Sequence, residues 1–201
     1  LKKEARYGMS GNFAGSLKPF NKITSAGSGS LDYSAGKVTF YTTAFSFVQM
    51  LNISSTVNNS FPSIDSLTKM SGNGDIKVSQ SSINSGIDYY MNEKNNLSFN
   101  VSYKPTNQNV GMPNNTTLYK GAIPLNTISS VTDQLTKSDE ASFSLFYKKT
   151  FEKQVQELTA EANYYMFNSG SNTDFTNTKY PYNSDMVLDK YTRLEESLNN
   201  R

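Results

Sequence analysis

The chain has 201 residues, of which 36% are hydrophobic and 18% charged, so Ser, Thr and Asn fill the remainder rather than the Lys and Glu typical of disordered chains. Nineteen Lys and Arg against 17 Asp and Glu give a net charge of +2 with no basic run, and the electrostatic footprint of a nucleic-acid-binding protein is missing. The absence of His and Cys excludes Ser-His-Asp catalysis, thiol nucleophiles, disulfides and His-ligated metals.

The opening "LKKEARYGMS" carries neither an apolar leader nor an initiator Met and reads as a cut start. Residues 7 to 19 place Tyr7, Met9, Phe13 and Leu17 at alternate positions with polar residues between them, which predicts a strand. Residues 22 to 33 repeat the pattern through Ile23, Leu31 and Tyr33. Gly27 and Gly29 share that parity and suggest a bend or a crowded contact. "SAGK" turns the chain into residues 38 to 51, a β-prone stretch with apolar residues on both faces. Residues 52 to 76, with Pro62 and "SGNGD", read as a long loop, and 77 to 91 as the next strand.

"DYYMNEKNNLSFNVSY" (88 to 103) is a hairpin with Tyr89, Met91, Leu97, Phe99, Val101 and Tyr103 on one side and Asp88, Asn92, Ser98, Asn100 and Ser102 on the other. Residues 104 to 137 read as a second long connection, because Pro105, Pro113 and Pro124 argue against interior strand. Within it, Leu125, Ile128, Val131 and Leu135 have spacings that a short amphipathic helix could use. Residues 141 to 151 and 156 to 167 form a further hairpin around "EKQV". A rival helical stripe through Phe151, Val155, Leu158, Ala162 and Tyr165 yields to the β-prone "NYYMF".

Short turns at 34 to 37, 92 to 96 and 152 to 155 thus alternate with connections at 52 to 76, 104 to 137 and 168 to 190. This is the rhythm of an up-and-down antiparallel sheet with turns on one rim and loops on the other. Tyr33, Phe40, Tyr89, Tyr147 and Phe151 lie near the short turns, and Phe45, Phe47, Tyr103, Tyr164 and Phe167 near the loops, as two aromatic girdles would. The polar parity of the clear strands (Asn84, Asp88, Asn100, Ser102, Ser144, Lys148, Thr159, Glu161, Asn163) would then line a lumen. The reading is all-β: an antiparallel up-and-down transmembrane β-barrel, partial, of about seven to eight strands, with long external loops. A complete small eight-stranded membrane barrel with a structural or adhesion role, and a soluble β-sandwich binding module, stay open beside it.

No enzyme is expected. The acid pairs Asp139 with Glu140 and Glu195 with Glu196 point to opposite faces of a strand, and "SGNGD" reads as a turn rather than a Ca²⁺ loop. No catalytic, cofactor-binding or metal residue is assigned.

In order along the chain, "LKKEARYGMSG", "GSLDYSAGKVTFYTTAF", "GIDYYMNEKNNLSF" and "FYKKTFEKQVQELTAEANYYMF" resemble the TonB-dependent receptor-like outer-membrane β-barrel family of Bacteroidota type. The resemblance implies that residues 1 to 6 end a plug or linker and that 7 to 201 form the N-terminal part of the barrel, which in the family has about twenty-two strands around its plug. It also implies residence in the cell outer membrane and uptake of a nutrient or chelate. The expected partners are outer-membrane lipid and an extracellular small-molecule, glycan or peptide substrate gathered by the loops, with a TonB complex reached only through other parts of a parent protein.

Overall fold

The computed structural model of the chain describes residues 6–20, 22–151 and 156–200. They form β1 (Arg6–Phe20), β2 (Lys22–Gly36), β3 (Val38–Phe61), β4 (Ser66–Asn92), β5 (Asn95–Lys120), β6 (Ile123–Thr150), β7 (Glu157–Pro181) and β8 (Asp189–Asn200). All eight lie in one antiparallel sheet in sequence order, each paired with its predecessor, so the topology is up-and-down throughout. The first and last strands are the two edges, and among the described residues they do not pair with each other. The only helical turn described is a three-residue 3₁₀ segment, Pro62–Ile64.

Turn chemistry fixes the connections. Ala35 pairs with Val38 around a two-residue loop, and Gly36 there has φ +61°, the left-handed value that a II′ hairpin needs at its first position. Gly121, with φ +59°, does similar work between β5 and β6. Asn92 Oδ1 accepts the Lys94 backbone N–H at 2.9 Å and closes the β4–β5 turn.

The hairpin read at 141 to 167 is present, with its turn residues 152–155 outside the described set. The three long connections are corrected. Residues 52 to 76, 104 to 137 and most of 168 to 190 are strand, so β3 to β7 run for 24 to 28 residues each and the loops shrink to tips at 62–65, 121–122 and 182–188. The reason lies in the ladder, whose backbone bonds do not depend on side-chain polarity. A strand wetted on both faces has no alternation to betray it.

The prolines are accommodated by gaps. On the β4 side of β5 the register holds from Ile83–Tyr103 to Gln80–Thr106 and from Asp75–Gly111 to Gly72–Asn114, and pairing is interrupted between, where Pro105 and Pro113 stand. On the β6 side those prolines keep their places opposite Asp139 and Val131. Pro124 sits at an irregularity where Leu118 and Tyr119 face Asn126 and Pro124. The helix drawn through Leu125 to Leu135 is likewise replaced by β6, in which Ile128 faces one side and Val131 and Leu135 the other.

Candidate membrane-facing belt and polar interior

Residues directly opposite in an antiparallel sheet share a face. One row therefore runs through Met9, Tyr33, Phe40, Ile87, Phe99, Leu145 and Ala162. The interleaved row on the other face runs through Ser10, Asp32, Tyr41, Gly86, Asn100, Ser144 and Asn163. The residues assigned to a lumen, from Asn84 to Asn163, all fall on this second face, whereas Asn92, past a register shift at the short turn, is opposite Asn95 of the apolar parity.

Burial runs opposite to hydrophobicity. Ile83, Ile87, Phe99 and Leu145 are 43–47% exposed, whereas the buried side chains are Ser98 and Thr173, at 8% and 9%, and no hydrophobic residue is buried among the described residues. Among the described residues no second layer packs on either face of this sheet, so the difference in burial between the faces of β4 to β6 reflects curvature: the polar face is concave and the apolar face convex. A soluble domain does the reverse, placing its apolar face against another layer.

The apolar belt is nine positions tall, Leu158 to Met166 on β7. Nine to eleven tilted residues are what a bilayer-spanning strand requires. Both borders are marked by tyrosines whose hydroxyls turn outward. Tyr147 donates to Asn95 Oδ1 at 2.6 Å beside the short turns, and Tyr103 donates to Asp139 Oδ1 at 2.8 Å one row beyond the other margin. An aromatic ring with a polar tip suits an interface between apolar and wet surroundings. Lys149, on the apolar parity at the near rim, holds its Nζ 5.0 Å from the Phe151 ring centroid, as a snorkelling side chain does. Thr42 and Ser85, directly opposite within the belt, satisfy each other at 2.8 Å.

Three girdle assignments are corrected. Phe45 and Phe47 lie on the concave face, their rings 5.8 Å apart, and Phe167 lies there too, opposite Glu140. The miss has a plain cause, since β3 carries aromatics on both parities and proximity to a loop does not tell which face a ring takes. The crowding expected at Gly27 and Gly29 is also absent, for a Cβ there would meet its neighbours at ordinary contact distances of 3.6–3.9 Å. Small residues instead leave a groove of about 530 Å³ at the upper margin of the apolar face, between Phe13 and Tyr103.

Close approach occurs on the concave side. Tyr41 reaches across β4 and donates to Asn100 Oδ1 on β5, and a Cβ on the intervening Gly86 would collide with both partners. An aromatic ring lying over a strand glycine restores the packing that the glycine forfeits. Around it, Ser98 Oγ donates to Asp88, Asn100 Nδ2 donates to Ser144 at 3.4 Å, and Lys104 pairs with Glu140 at 2.9 Å. Lys148 pairs with Glu157 at 2.8 Å near the rim. A cavity of about 110 Å³ lies among Tyr41, Asn84, Asn100, Ser102, Ser142 and Ser144. Sequence alone does not reveal this cross-strand device; a glycine on the polar parity beside a tyrosine-bearing strand is its one signal.

No group of three or more His, Cys, Asp or Glu among the described residues could hold a metal ion. No described helix is long and apolar enough to cross a membrane, which leaves crossing by strands untouched.

No protein-family model matches the chain, and no curated protein matches it. Among solved structures it aligns with Pseudomonas aeruginosa OccK5 (OpdH) at 9% identity, over 96% of this chain and 97% of that one, with a TM-score of 0.11. A score that low carries no argument about fold or function.

Proposed function

We propose that this chain is part of the wall of an outer-membrane receptor barrel, TonB-dependent in type, that takes up a nutrient or chelate. The observation that carries the reading is the inverted burial: a convex apolar belt nine residues tall, bounded by outward-turned tyrosines, over a concave polar face. Lipid is the one solvent that favours both halves of that arrangement, since apolar rows facing water would aggregate and polar rows facing lipid would cost several kcal/mol per unpaired group. The soluble-sandwich alternative needs a second sheet against the apolar face, and the described residues form one sheet.

Two further features support a large wall. Above the belt the β3–β4 and β5–β6 hairpins rise for another 17 residues, from Ile83 to Ser66 and from Tyr103 to Lys120, about 55 Å along the strand. Such hairpins place their tips where an external solute arrives. Within the belt, β7 from Glu157 to Phe167 has no described neighbour on its far side, because β8 meets it only from Asn168 to Lys179. Hydrocarbon does not tolerate an open edge, so the membrane-wall reading requires a pairing partner against this part of β7.

Membrane extraction tests the reading. The protein should stay with the membrane pellet at alkaline pH and come out only in detergent, with Phe99, Leu145 and Tyr164 reached by quenchers carried on lipid acyl chains. Import of the solute by intact cells should stop when the proton gradient is collapsed. Recovery as a soluble, detergent-free monomer would end the proposal.

A further inference from the structure

We propose that the concave face above the belt is a vestibule for a small, uncharged, amphipathic solute. This rests on the membrane-wall reading and narrows what moves along its inside. On five successive concave rows, from Phe47–Gln80–Thr106–Ser138–Ser169 to Ser55–Gly72–Asn114–Ser130–Asn177, strands β3 to β7 carry no charged residue. The convex face over the same stretch carries Lys77, Asp75, Asp133, Lys137 and Asp174, so charge is sorted by face and not merely scarce. The uncharged zone ends at β8, where Arg193 and Glu195 pair with each other.

The zone has two unlike walls. On β3 to β5, Leu51, Ile76 and Val110 are directly opposite one another, with Val78 one row below and Ile53 one row above. Met112 folds over Gly74, whose missing Cβ would meet the Met112 side chain at 3.3 Å. The apolar sense of the sheet has therefore switched from its convex side in the belt to its concave side here. On β6 and β7 the same rows hold amide and hydroxyl groups, Phe175 excepted: Gln134 donates to Ser171 Oγ at 3.0 Å and Thr136 donates to it at 3.2 Å, beside the buried Thr173. Asn114 Oδ1, at the top of the zone, has no hydrogen-bond donor among the described residues.

A concave surface with an apolar wall and a few converging polar groups is the ordinary form of a small-molecule site. An occupant with one apolar side and one hydroxyl-bearing side buries the first on β3–β5 and hydrogen-bonds with the second to β6–β7. A charged occupant would lose hydration and find no counter-ion on β3 to β7, and the Arg193 and Glu195 that end two of these rows on β8 are already paired with each other.

A matched pair of probes tests this: p-nitrophenyl glucoside, and the corresponding glucuronide, which differs by one carboxylate. Titrated calorimetrically against the full chain in lipid nanodiscs, the glucoside should bind about tenfold more tightly. Ile76→Lys should weaken it about tenfold, whereas Leu135→Lys, at the same height on the convex face, should leave it unchanged. Val110→Thr keeps the shape of the apolar wall and should cost about threefold, which covers the case in which a lysine at position 76 disrupts folding. Equal or reversed preference, indifference to both concave-face variants, or no binding of either probe would overturn the vestibule while leaving the membrane wall intact. Failure of the chain to enter nanodiscs would overturn the wall, and the vestibule with it.

Discussion

Replacing Leu145 with arginine separates a lipid-facing sheet from a water-facing one. Leu145 sits in the middle of the five belt rows and is 45% exposed; Phe99 and Ala162 are directly opposite, and Phe143 and Tyr147 lie one row away on the same face. None of these carries a negative charge to neutralise a guanidinium. Lys149 marks the wet rim two rows away, about 13 Å along the strand, farther than an arginine side chain reaches. If acyl chains cover this face, the substitution should destabilise by about 2–4 kcal/mol, a factor of about 30 to 1,000 in the folding equilibrium. If water covers it, the change should stay within about 0.5 kcal/mol, as at exposed sites generally. Two companions calibrate the number. Ala141→Arg, at the margin beside Asp139, should cost no more than about 1 kcal/mol, and Ser144→Arg, on the concave face between Asn100 and Asn163, about 0.5 kcal/mol or less. Denaturant unfolding in lipid vesicles with linear extrapolation gives all three values. A Leu145→Arg cost no larger than that of Ser144→Arg would refute the reasoning.

Other consequences can be measured on the same preparation. Gly86→Val should cost about 1–3 kcal/mol by driving into Tyr41 and Asn100, and the loss should shrink when Tyr41→Ala is added, so a double-mutant cycle that shows no coupling would remove the cross-strand device. The Lys104–Glu140 pair is about one-third exposed, so Glu140→Gln should change stability by less than about 1 kcal/mol and the difference should fade in high salt; a large, salt-insensitive loss would place the pair in a dry interior. Tyr103→Phe and Tyr147→Phe should each cost about 0.5–1.5 kcal/mol through the lost hydroxyl bonds, as unfolding midpoints will report. On intact cells, cysteines at Ile64 and Asn183 should react with an impermeant maleimide and one at Glu93 should not, since the first two occupy the far tips and the third the short-turn rim. The opposite labelling pattern would invert the orientation.

The belt was legible because it obeys two rules at once: strands alternate with period two, and one face must be apolar. Ile87 and Tyr89 with Leu97 to Tyr103 satisfy both, and the structure keeps each residue on the side its parity assigned. Above Asp139 the second rule lapses. There Ser54, Asn73 and Asn109 stand on the convex face of an unbroken ladder, and their composition, which is that of loops, concealed 24- to 28-residue strands. The concave patch was harder still to read. Leu51, Ile76 and Val110 are far apart in sequence, and only the register brings them side by side.

The constancy of that register limits how such a wall can change. From Phe61–Ser66 down to Val38–Tyr89 the β3–β4 ladder proceeds without a slip, so a single inserted residue in either strand would turn every side chain beyond it to the wrong side. Only an insertion of two, matched on the neighbouring strand, keeps greasy and wet surfaces apart. Lineages carrying this architecture should therefore vary in the height of their ribbons by even steps, with odd-length changes confined to the tips at 62–65, 121–122 and 182–188.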